Sequence, residues 1–270
     1  MAFFQILIPN YNSAKWIEKG LRSILDQTYQ DFIIHVADDL SIDISREIIQ
    51  KLSDEFPGKI TLNILPEKSG YPGGTRNYLI DKYKTPDTTY TLFMDSDDWF
   101  HDENCLKRIH DTAVEACKND IWPDLIRLAF IIYESEYKQT YVDLKELTIK
   151  DVTVSPFIAP WTKAVKTEKL VKFPVNSLFE DIPQHLAQCD ILESSCWVQD
   201  PTIVWNRQKE NTVSLTANLN TEANKKKLLI SRFQMMADLY RLELTHEYSN
   251  AMRDSWLNVG KDWLKSEKLV

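Results

Sequence analysis

Residues 90–98 read Tyr-Thr-Leu-Phe-Met-Asp-Ser-Asp-Asp, a short apolar run followed at once by three carboxylates. The run is rich in residues that favour β structure, so it predicts a buried strand. Open α/β sheets bind ligands at the carboxyl ends of their strands, which is where Asp95, Asp97 and Asp98 fall. Clustered carboxylates repel one another, and Mg2+ or Mn2+ relieves that repulsion while bridging to phosphate oxygens. The stretch therefore indicates a metal–diphosphate site, although an acidic turn before a helix would explain the same residues.

Strands and helices alternate around this stretch. Apolar runs predict strands over 3–8, 32–37, 60–65 and 90–94. Apolar residues at helical spacing predict helices over 14–27, 45–56, 75–83 and 103–118. This order predicts an α/β fold with a mostly parallel, doubly wound sheet that is flanked by helices.

The second half of the chain is less regular. Strands are expected over 124–133, 137–144 and 198–205, and three prolines interrupt the pattern between 155 and 176. Two helices are expected after residue 221. Their apolar stripes favour packing against the core, with a membrane surface or a partner as the alternative. The first stripe comprises Leu229, Phe233, Met236 and Tyr240, and the second comprises Met252, Trp256, Val259 and Trp263.

The composition is that of an ordinary globular chain, with 43% hydrophobic and 27% charged residues among 270. The amino-terminal apolar stretch is short and lacks a basic leader, so we expect a cytoplasmic protein. The four cysteines lack Cys-x-x-Cys spacing, which favours reduced, structural thiols. A net charge of −8 disfavours a surface devoted to nucleic acid, although 221–270 has nine Lys or Arg against seven Asp or Glu.

Four polar loops follow the four predicted strands and should meet in one crevice. They cover residues 9–12, 38–43, 70–77 and 95–98. Tyr11 can stack on a nucleobase, and Asp39 can accept a hydrogen bond from a base imide. Glycines at 73 and 74 allow close backbone approach, and Arg76 can pair with phosphate. The chain lacks Gly-x-Gly-x-x-Gly after the first strand and lacks a Walker loop, which counts against dinucleotide oxidoreductases and P-loop NTPases.

These motifs resemble those of the family 2 inverting glycosyltransferases, which have the GT-A fold, a Rossmann-like nucleotide-diphospho-sugar transferase fold. The resemblance is strong over residues 3–110 and thinner as far as about residue 214. It is carried by Ile8-Pro9-Asn10-Tyr11-Asn12, Asp38-Asp39, Gly74-Thr75-Arg76-Asn77, Asp95-Ser96-Asp97-Asp98-Trp99 and, more weakly, Trp161-Thr162-Lys163 and Glu180-Asp181. It implies a GT-A domain over 1–215, with a nucleotide-sugar-binding half over 1–100 and an acceptor-side half over 101–215. A helical extension follows over 216–270.

The resemblance also implies roles for individual residues. Pro9, Tyr11 and Asp39 would hold a nucleobase, usually that of uridine diphosphate. The whole set implied to bind the nucleotide sugar is Pro9, Tyr11, Asp39, Gly74, Arg76, Asp95 and Ser96. The implied cofactor is Mn2+ or Mg2+, with Asp97 as its direct ligand, Asp95 nearer the donor and Asp98 as a contributor.

By the same resemblance, Asp181 would be the base that deprotonates the acceptor hydroxyl, so that a single displacement inverts the anomeric carbon. As alternatives, Asp181 could be a helix N-cap and Glu180 a surface acid. Family members often have a histidine near the position of Lys209. This chain has none there, which puts a third protein ligand to the metal in doubt. We expect His185 at the surface, whereas Trp161 fits a stacking face or the core equally well.

The expected partners are a nucleotide-diphosphate sugar and a glycan or lipid-linked acceptor, with peripheral contact at the inner face of a membrane as a further possibility. The segment 155–176 and the terminal helices are where we expect acceptor choice to reside. One alternative is transfer to a hydroxylated nucleic-acid base, through basic residues such as Lys225, Lys226 and Lys227. Another is a non-catalytic nucleotide-sugar or glycan-binding module. The sequence does not indicate an oligomeric state.

Overall fold

The computed structural model describes residues 2–119, 121–136, 138–143, 148–155, 157–208 and 222–266. Its first part alternates strands and helices as predicted, with ends that differ by a few residues. The strands are β1 (Ala2–Asn10), β2 (Phe32–Asp38), β3 (Ile60–Ile64) and β4 (Thr88–Phe93). The helices are α1 (Ile17–Leu25), α2 (Ser45–Glu55) and α3 (Pro72–Tyr83).

The second part contains the predicted strands and four elements that were not predicted. The elements in chain order are β5 (Trp99–Phe100), α4 (Cys105–Ala116), β6 (Leu125–Ser135), β7 (Lys138–Val142), α5 (Ile149–Val154), β8 (Lys163–Lys166), α6 (Asp181–Asp190), β9 (Ser195–Asn206), α7 (Glu222–Arg241) and α8 (Glu247–Ser266). The four that were not predicted are β5, α5, β8 and α6. The first three of these are too short to show a periodic pattern, and β8 begins and ends with lysine.

The strands form one mixed sheet in the order β3-β2-β1-β4-β8-β6-β9-β5, with β7 paired to β6. The first four are parallel neighbours, as predicted. β8 is antiparallel to both β4 and β6, so β6 runs in the same direction as β4. β9 is parallel to β6, and β5 is antiparallel to β9. The sheet is therefore parallel over the predicted half and mixed beyond it.

Helices cover both faces of the parallel half. In β1, Phe4 and Ile6 point to a core shared with Leu21 of α1, whereas Leu7 points to a second core shared with Leu79 of α3. Successive side chains of a strand face opposite sides, so a strand covered on both faces reads as an uninterrupted apolar run. Because β1 is paired in parallel with β2 and β4, the carboxyl ends of the three strands lie at one edge.

The terminal helices α7 and α8 pack on α6. Met235, Leu239 and Leu257 share a buried cluster with Ile182 and Leu186 of α6. The predicted stripe of α7 is wrong in part, because Phe233 and Tyr240 are 46% and 61% exposed. The buried face of α7 instead includes Met235 and Leu239, because these residues contact α6. Of the helices in the described ranges, none is long and apolar enough to cross a membrane.

Candidate active site

A cavity of about 600 Å³ opens at the carboxyl ends of β1, β2 and β4. All four polar loops contribute to its wall, as predicted, and α6 adds a fifth segment. The predicted site residues that line it are Pro9, Tyr11, Asp39, Arg76, Asp95, Ser96, Asp97 and Asp181. The structure thus brings together residues that are far apart in the chain.

Tyr11 and Asp39 lie near each other on the cavity wall, since each contacts the segment 68–69. The Tyr11 ring is 40% exposed, and the Lys68 ammonium lies 3.6 Å from its centroid. One oxygen of the buried Asp39 carboxylate accepts a hydrogen bond from the Ser69 backbone N–H at 2.6 Å. No residue of the described ranges bonds the other Asp39 oxygen, which leaves it available for a base imide.

A buried network holds these loops in place. The Asn10 amide donates to Asp38 Oδ2 at 2.7 Å and to Ser45 Oγ at 3.1 Å. In the cavity wall, Ser13 Oγ and Ser96 Oγ are hydrogen-bonded at 2.6 Å, which ties the loop after β1 to the acidic loop. Ser96 therefore has a positioning contact in addition to its place on the wall.

The acidic loop divides its three carboxylates between the cavity and the interior. Asp95 and Asp97 line the cavity. Asp98 is 1% exposed, and its Oδ1 accepts from the Asn206 N–H at 2.9 Å. Burial, followed by the nearby Asp97 and Asp95 charges, raises the pKa of Asp98 well above its usual range. The structure therefore does not place Asp98 with the predicted metal ligands; it anchors the loop to the end of β9.

Gly74 is also off the cavity wall. A side chain at this position would place its Cβ 2.8 Å from the Ser69 Cβ, so the glycine allows the loop to pack on the first turn of α3. Gly74 is not among the residues that line the cavity, and its contact with the donor stays a prediction.

Arg76 is deep in the site and is already engaged by carboxylates. Its guanidinium contacts Asp95 Oδ1 at 2.6 Å and Glu180 Oε1 at 2.5 Å. The side chain is only 5% exposed, and burial acts to lower its pKa, but the charges of Asp95, Glu180 and Asp181 outweigh burial and raise the pKa. Arg76 therefore links the acidic loop to the start of α6, and its pairing with phosphate stays a prediction.

Glu180 and Asp181 stand at the amino-terminal end of α6. Glu180 is 4% exposed, which contradicts the alternative that it is a surface acid. Burial raises the pKa of Glu180, against the lowering effect of Arg76. Burial also raises the pKa of Asp181, while Arg76, Lys163 and the N–H groups of Asp181 and Ile182 lower it. Glu180 was not assigned to the site from the sequence, since its arginine partner is 104 residues away.

A further part of the wall, residues 157–162, is held in place by buried cations. Lys163 Nζ donates to the Ile158 carbonyl at 2.8 Å and lies 3.3 Å from His185 Nδ1. Arg127, which is 0% exposed, donates to the Thr162 carbonyl at 3.3 Å. His185 is 1% exposed, so its predicted surface position is wrong. Burial, followed by the charges of Lys163 and Arg127, lowers the pKa of His185, which is a neutral ring behind this wall.

Trp161 combines its two predicted settings. It is 4% exposed and packs against Phe130 and Trp205, with centroids 4.9 and 5.6 Å away, yet it also lines the cavity. It therefore forms a rigid aromatic part of the cavity wall. The segment around Lys209, including the question of a third metal ligand, lies outside the described residues.

Comparison with known proteins gives a family match. A family model described as glycosyl transferase family 2 matches residues 5–138, about half of the chain. The chain is 28% identical over 272 residues to the dTDP-rhamnosyl transferase RfbG of Shigella flexneri, covering 95% of this chain and 89% of that protein. It is 33% identical over 105 residues to the poly(ribitol-phosphate) beta-N-acetylglucosaminyltransferase TarS of Staphylococcus aureus (strain Mu50 / ATCC 700699), covering 38% of this chain and 18% of TarS.

Solved structures share the fold. The crystal structure of S. aureus TarS 1-349 in complex with UDP-GlcNAc has a TM-score of 0.70 at 19% identity, covering 98% of this chain and 73% of that one. The mannosyltransferase PcManGT from Pyrobaculum calidifontis, in complex with GDP-Man and Mn2+, has a TM-score of 0.62 at 15% identity, covering 98% and 74%. The segment matched by the family model contains the acidic loop and the three other polar loops. This chain therefore belongs to glycosyl transferase family 2, a family of glycosyltransferases, and adopts the GT-A fold expected of it.

Proposed function

We propose that this glycosyltransferase is metal-dependent and inverting, and that it moves a sugar from a nucleoside-diphosphate sugar to an acceptor hydroxyl. The observation that carries the proposal is the shared cavity, since Asp95 and Asp97 line one part of it and Asp181 another. A single displacement needs charge stabilisation at the leaving diphosphate and a base at the incoming oxygen. Carboxylates that reach one cavity from two remote segments meet both needs.

The donor end of the proposal rests on Tyr11 and Asp39. The exposed Tyr11 ring offers a stacking face, and the second Asp39 oxygen can accept an imide N–H. Uracil and thymine both present that imide, and the named relatives include a dTDP-rhamnosyl transferase and a structure in complex with UDP-GlcNAc. We therefore propose that the donor carries a pyrimidine base, and that a uridine diphosphate sugar is the leading candidate.

The charge of the cavity supports a divalent cation. Among the described residues that line it are five carboxylate side chains and three cationic ones, an excess of two negative charges. The described residues include no group of three His, Cys, Asp or Glu able to hold a metal by themselves. Mg2+ and Mn2+ often bind through one or two carboxylates together with substrate phosphates, and Asp95 and Asp97 supply that donor set. When bound, the cation would neutralise charge on the departing diphosphate.

The base in this proposal is Asp181. Its carboxylate accepts the proton of the acceptor hydroxyl as the oxygen approaches the anomeric carbon from the side opposite the diphosphate. Burial raises its pKa, which makes it a better proton acceptor than an exposed aspartate. Arg76 keeps Asp95 and Glu180 in place and keeps a positive charge next to this base.

The acceptor in this proposal is a glycan or a lipid-linked sugar. The cavity wall includes the aromatic side chains of Phe157, Trp161 and Trp205, against which a sugar ring can pack. A hydroxylated nucleic-acid base is the weaker candidate, because the cavity has an excess of carboxylates. A binding module without activity is also weaker, since such a module has no need of Asp181.

We also propose that the enzyme works in the cytoplasm, at a membrane that carries its acceptor. The outer face of α7 exposes Ile230, Phe233 and Tyr240. The sequence 222–241 contains five Lys or Arg against two Asp or Glu. Apolar side chains flanked by basic ones favour an anionic bilayer surface. Flotation with anionic and zwitterionic vesicles tests this location, with recovery expected only in the anionic fraction and reduced by Phe233→Asp.

The experiment for the reaction follows nucleoside diphosphate release from UDP-, dTDP- and GDP-sugars, with Mn2+ or with a chelator. Wild-type protein should turn over one of these donor classes, and it should do so only when metal is present. Asp181→Asn should lower kcat by about 100-fold or more, the usual effect of losing a general base, while donor KM is unchanged. Asp87→Asn, an exposed change of the same chemistry, is the control. Tight nucleotide binding with no turnover on any donor or acceptor would favour the binding module, and strongly salt-dependent DNA binding would favour the nucleic-acid acceptor.

A further inference from the structure

Lys227 of α7 lines the cavity although it lies outside every motif that the sequence assigned to the donor. Its ammonium lies 4.7 Å from the centroid of the Tyr71 ring, next to the first turn of α3. We propose that Lys227 binds the diphosphate of the donor and of the leaving nucleotide, so that the terminal helices are part of the donor site. This inference rests on the proposed function and extends it to a new residue.

The cations of the cavity differ in their existing partners. Arg76 is held between Asp95 and Glu180 and has little charge to offer a ligand. Lys68 and Lys227 each lie over a tyrosine ring, and neither forms an ion pair with a carboxylate of the described residues. Lys68 stands beside Tyr11, at the end proposed for the nucleobase. Lys227 is therefore the lysine left for the diphosphate.

The position of Lys227 is fixed by buried contacts one turn further along α7. Ser177 Oγ donates to the Ser231 carbonyl at 3.0 Å, and both serines are fully buried. Met235, also fully buried, then joins the cluster that includes Ile182 of α6. The helix that carries Lys227 is thus anchored to the helix that begins with Asp181.

Binding a diphosphate in this cavity requires more positive charge than a divalent cation alone supplies. Without Lys227, the cavity lining has five carboxylates against two cationic side chains, so one divalent cation leaves one negative charge unbalanced before the diphosphate adds its own. A lysine ammonium over an aromatic ring is held at the surface without a counter-ion, so it can move onto phosphate oxygens at low cost. The cation–π contact with Tyr71 is therefore a resting position for Lys227.

Calorimetric titration of the full chain tests this assignment, in Mn2+, with UDP and with uridine as the probe that lacks phosphate. Lys227→Met should weaken UDP binding by about tenfold, the usual scale for a charge-assisted contact, and leave uridine binding within about twofold. Lys227→Arg should retain UDP affinity within about threefold because it keeps the charge. The control is Lys261→Met on α8, an exposed lysine, which should bind both probes as wild type does.

Two results with Lys227→Met would overturn the assignment while leaving the proposed function intact. Unchanged UDP affinity in Lys227→Met would exclude a diphosphate contact, and an equal loss for UDP and uridine would show a structural effect. If wild-type protein binds none of UDP, dTDP and GDP, the proposed function fails and this inference fails with it. Unchanged thermal unfolding of Lys227→Met without ligand confirms that the variant is folded.

Discussion

Replacement of Arg76 by methionine tests the bridge between the acidic loop and α6. The change leaves Glu180 buried without its cation, because that side chain is only 6% exposed. Removing one partner of a buried ion pair costs about 3–5 kcal/mol. Asp95 is 33% exposed and can be hydrated instead, so we expect the lower end of that range. Urea unfolding monitored by fluorescence gives the free energy of unfolding.

The cost of Arg76→Met should depend on pH. Burial raises the pKa of Glu180 and Arg76 lowers it, so loss of Arg76 raises it further. A carboxyl with a folded pKa above its unfolded value loses stability as pH rises from the unfolded pKa to the folded one. Each pH unit in that window costs at most about 1.4 kcal/mol per proton. The variant should therefore be more destabilised at pH 8 than at pH 5.

A second substitution separates charge from packing. Glu180→Gln in the Arg76→Met background removes the stranded charge and should restore part of the lost stability at pH 8. Arg108→Met breaks a more exposed pair with Asp102 and should cost much less, with little dependence on pH. Equal costs at both pH values, or a double variant no more stable than Arg76→Met, would refute the assignment of Arg76 as the cation that keeps Glu180 charged.

Two further predictions concern the acidic loop and the base. Gly20→Ala places its Cβ 2.8 Å from the Asp98 carbonyl oxygen, so it should displace the loop and weaken Mn2+–UDP binding measured by calorimetry. Gly260→Ala meets a flexible methionine sulfur at 2.6 Å instead and should leave that affinity unchanged. Lys163 lowers the pKa of Asp181, so Lys163→Met should move the rising limb of the kcat/KM profile to higher pH. A profile that stays in place, or moves to lower pH, would contradict this coupling.

The fold of the first half could be predicted because each element carries its own pattern. β1 is covered on both faces and reads as a continuous apolar run, whereas α1 shows Ile17, Leu21 and Ile24 on one face. β8 could not be predicted, since four residues that begin and end with lysine form a strand only where β4 and β6 leave a gap. In α7, the choice between the Phe233 face and the Met235 face is made by contact with α6.

In the site, too, some features could be predicted from the sequence and others could not. Loops that follow parallel strands must converge, so Tyr11, Asp39 and the acidic loop could be placed together from the strand pattern alone. Partners could not be assigned in this way. Glu180 meets Arg76 across 104 residues, and Asp98 turns to a backbone N–H of β9, so neither contact leaves a local signal.

A crystal structure with Mn2+ and UDP tests the central claim most directly. We predict that the metal binds Asp97 and the diphosphate, and that the uracil lies beside Tyr11 and Asp39. The terminal phosphate, to which the sugar of the donor is attached, should point toward Asp181. Metal or diphosphate bound away from the acidic loop, or a nucleotide oriented with its base toward Asp181, would contradict that claim.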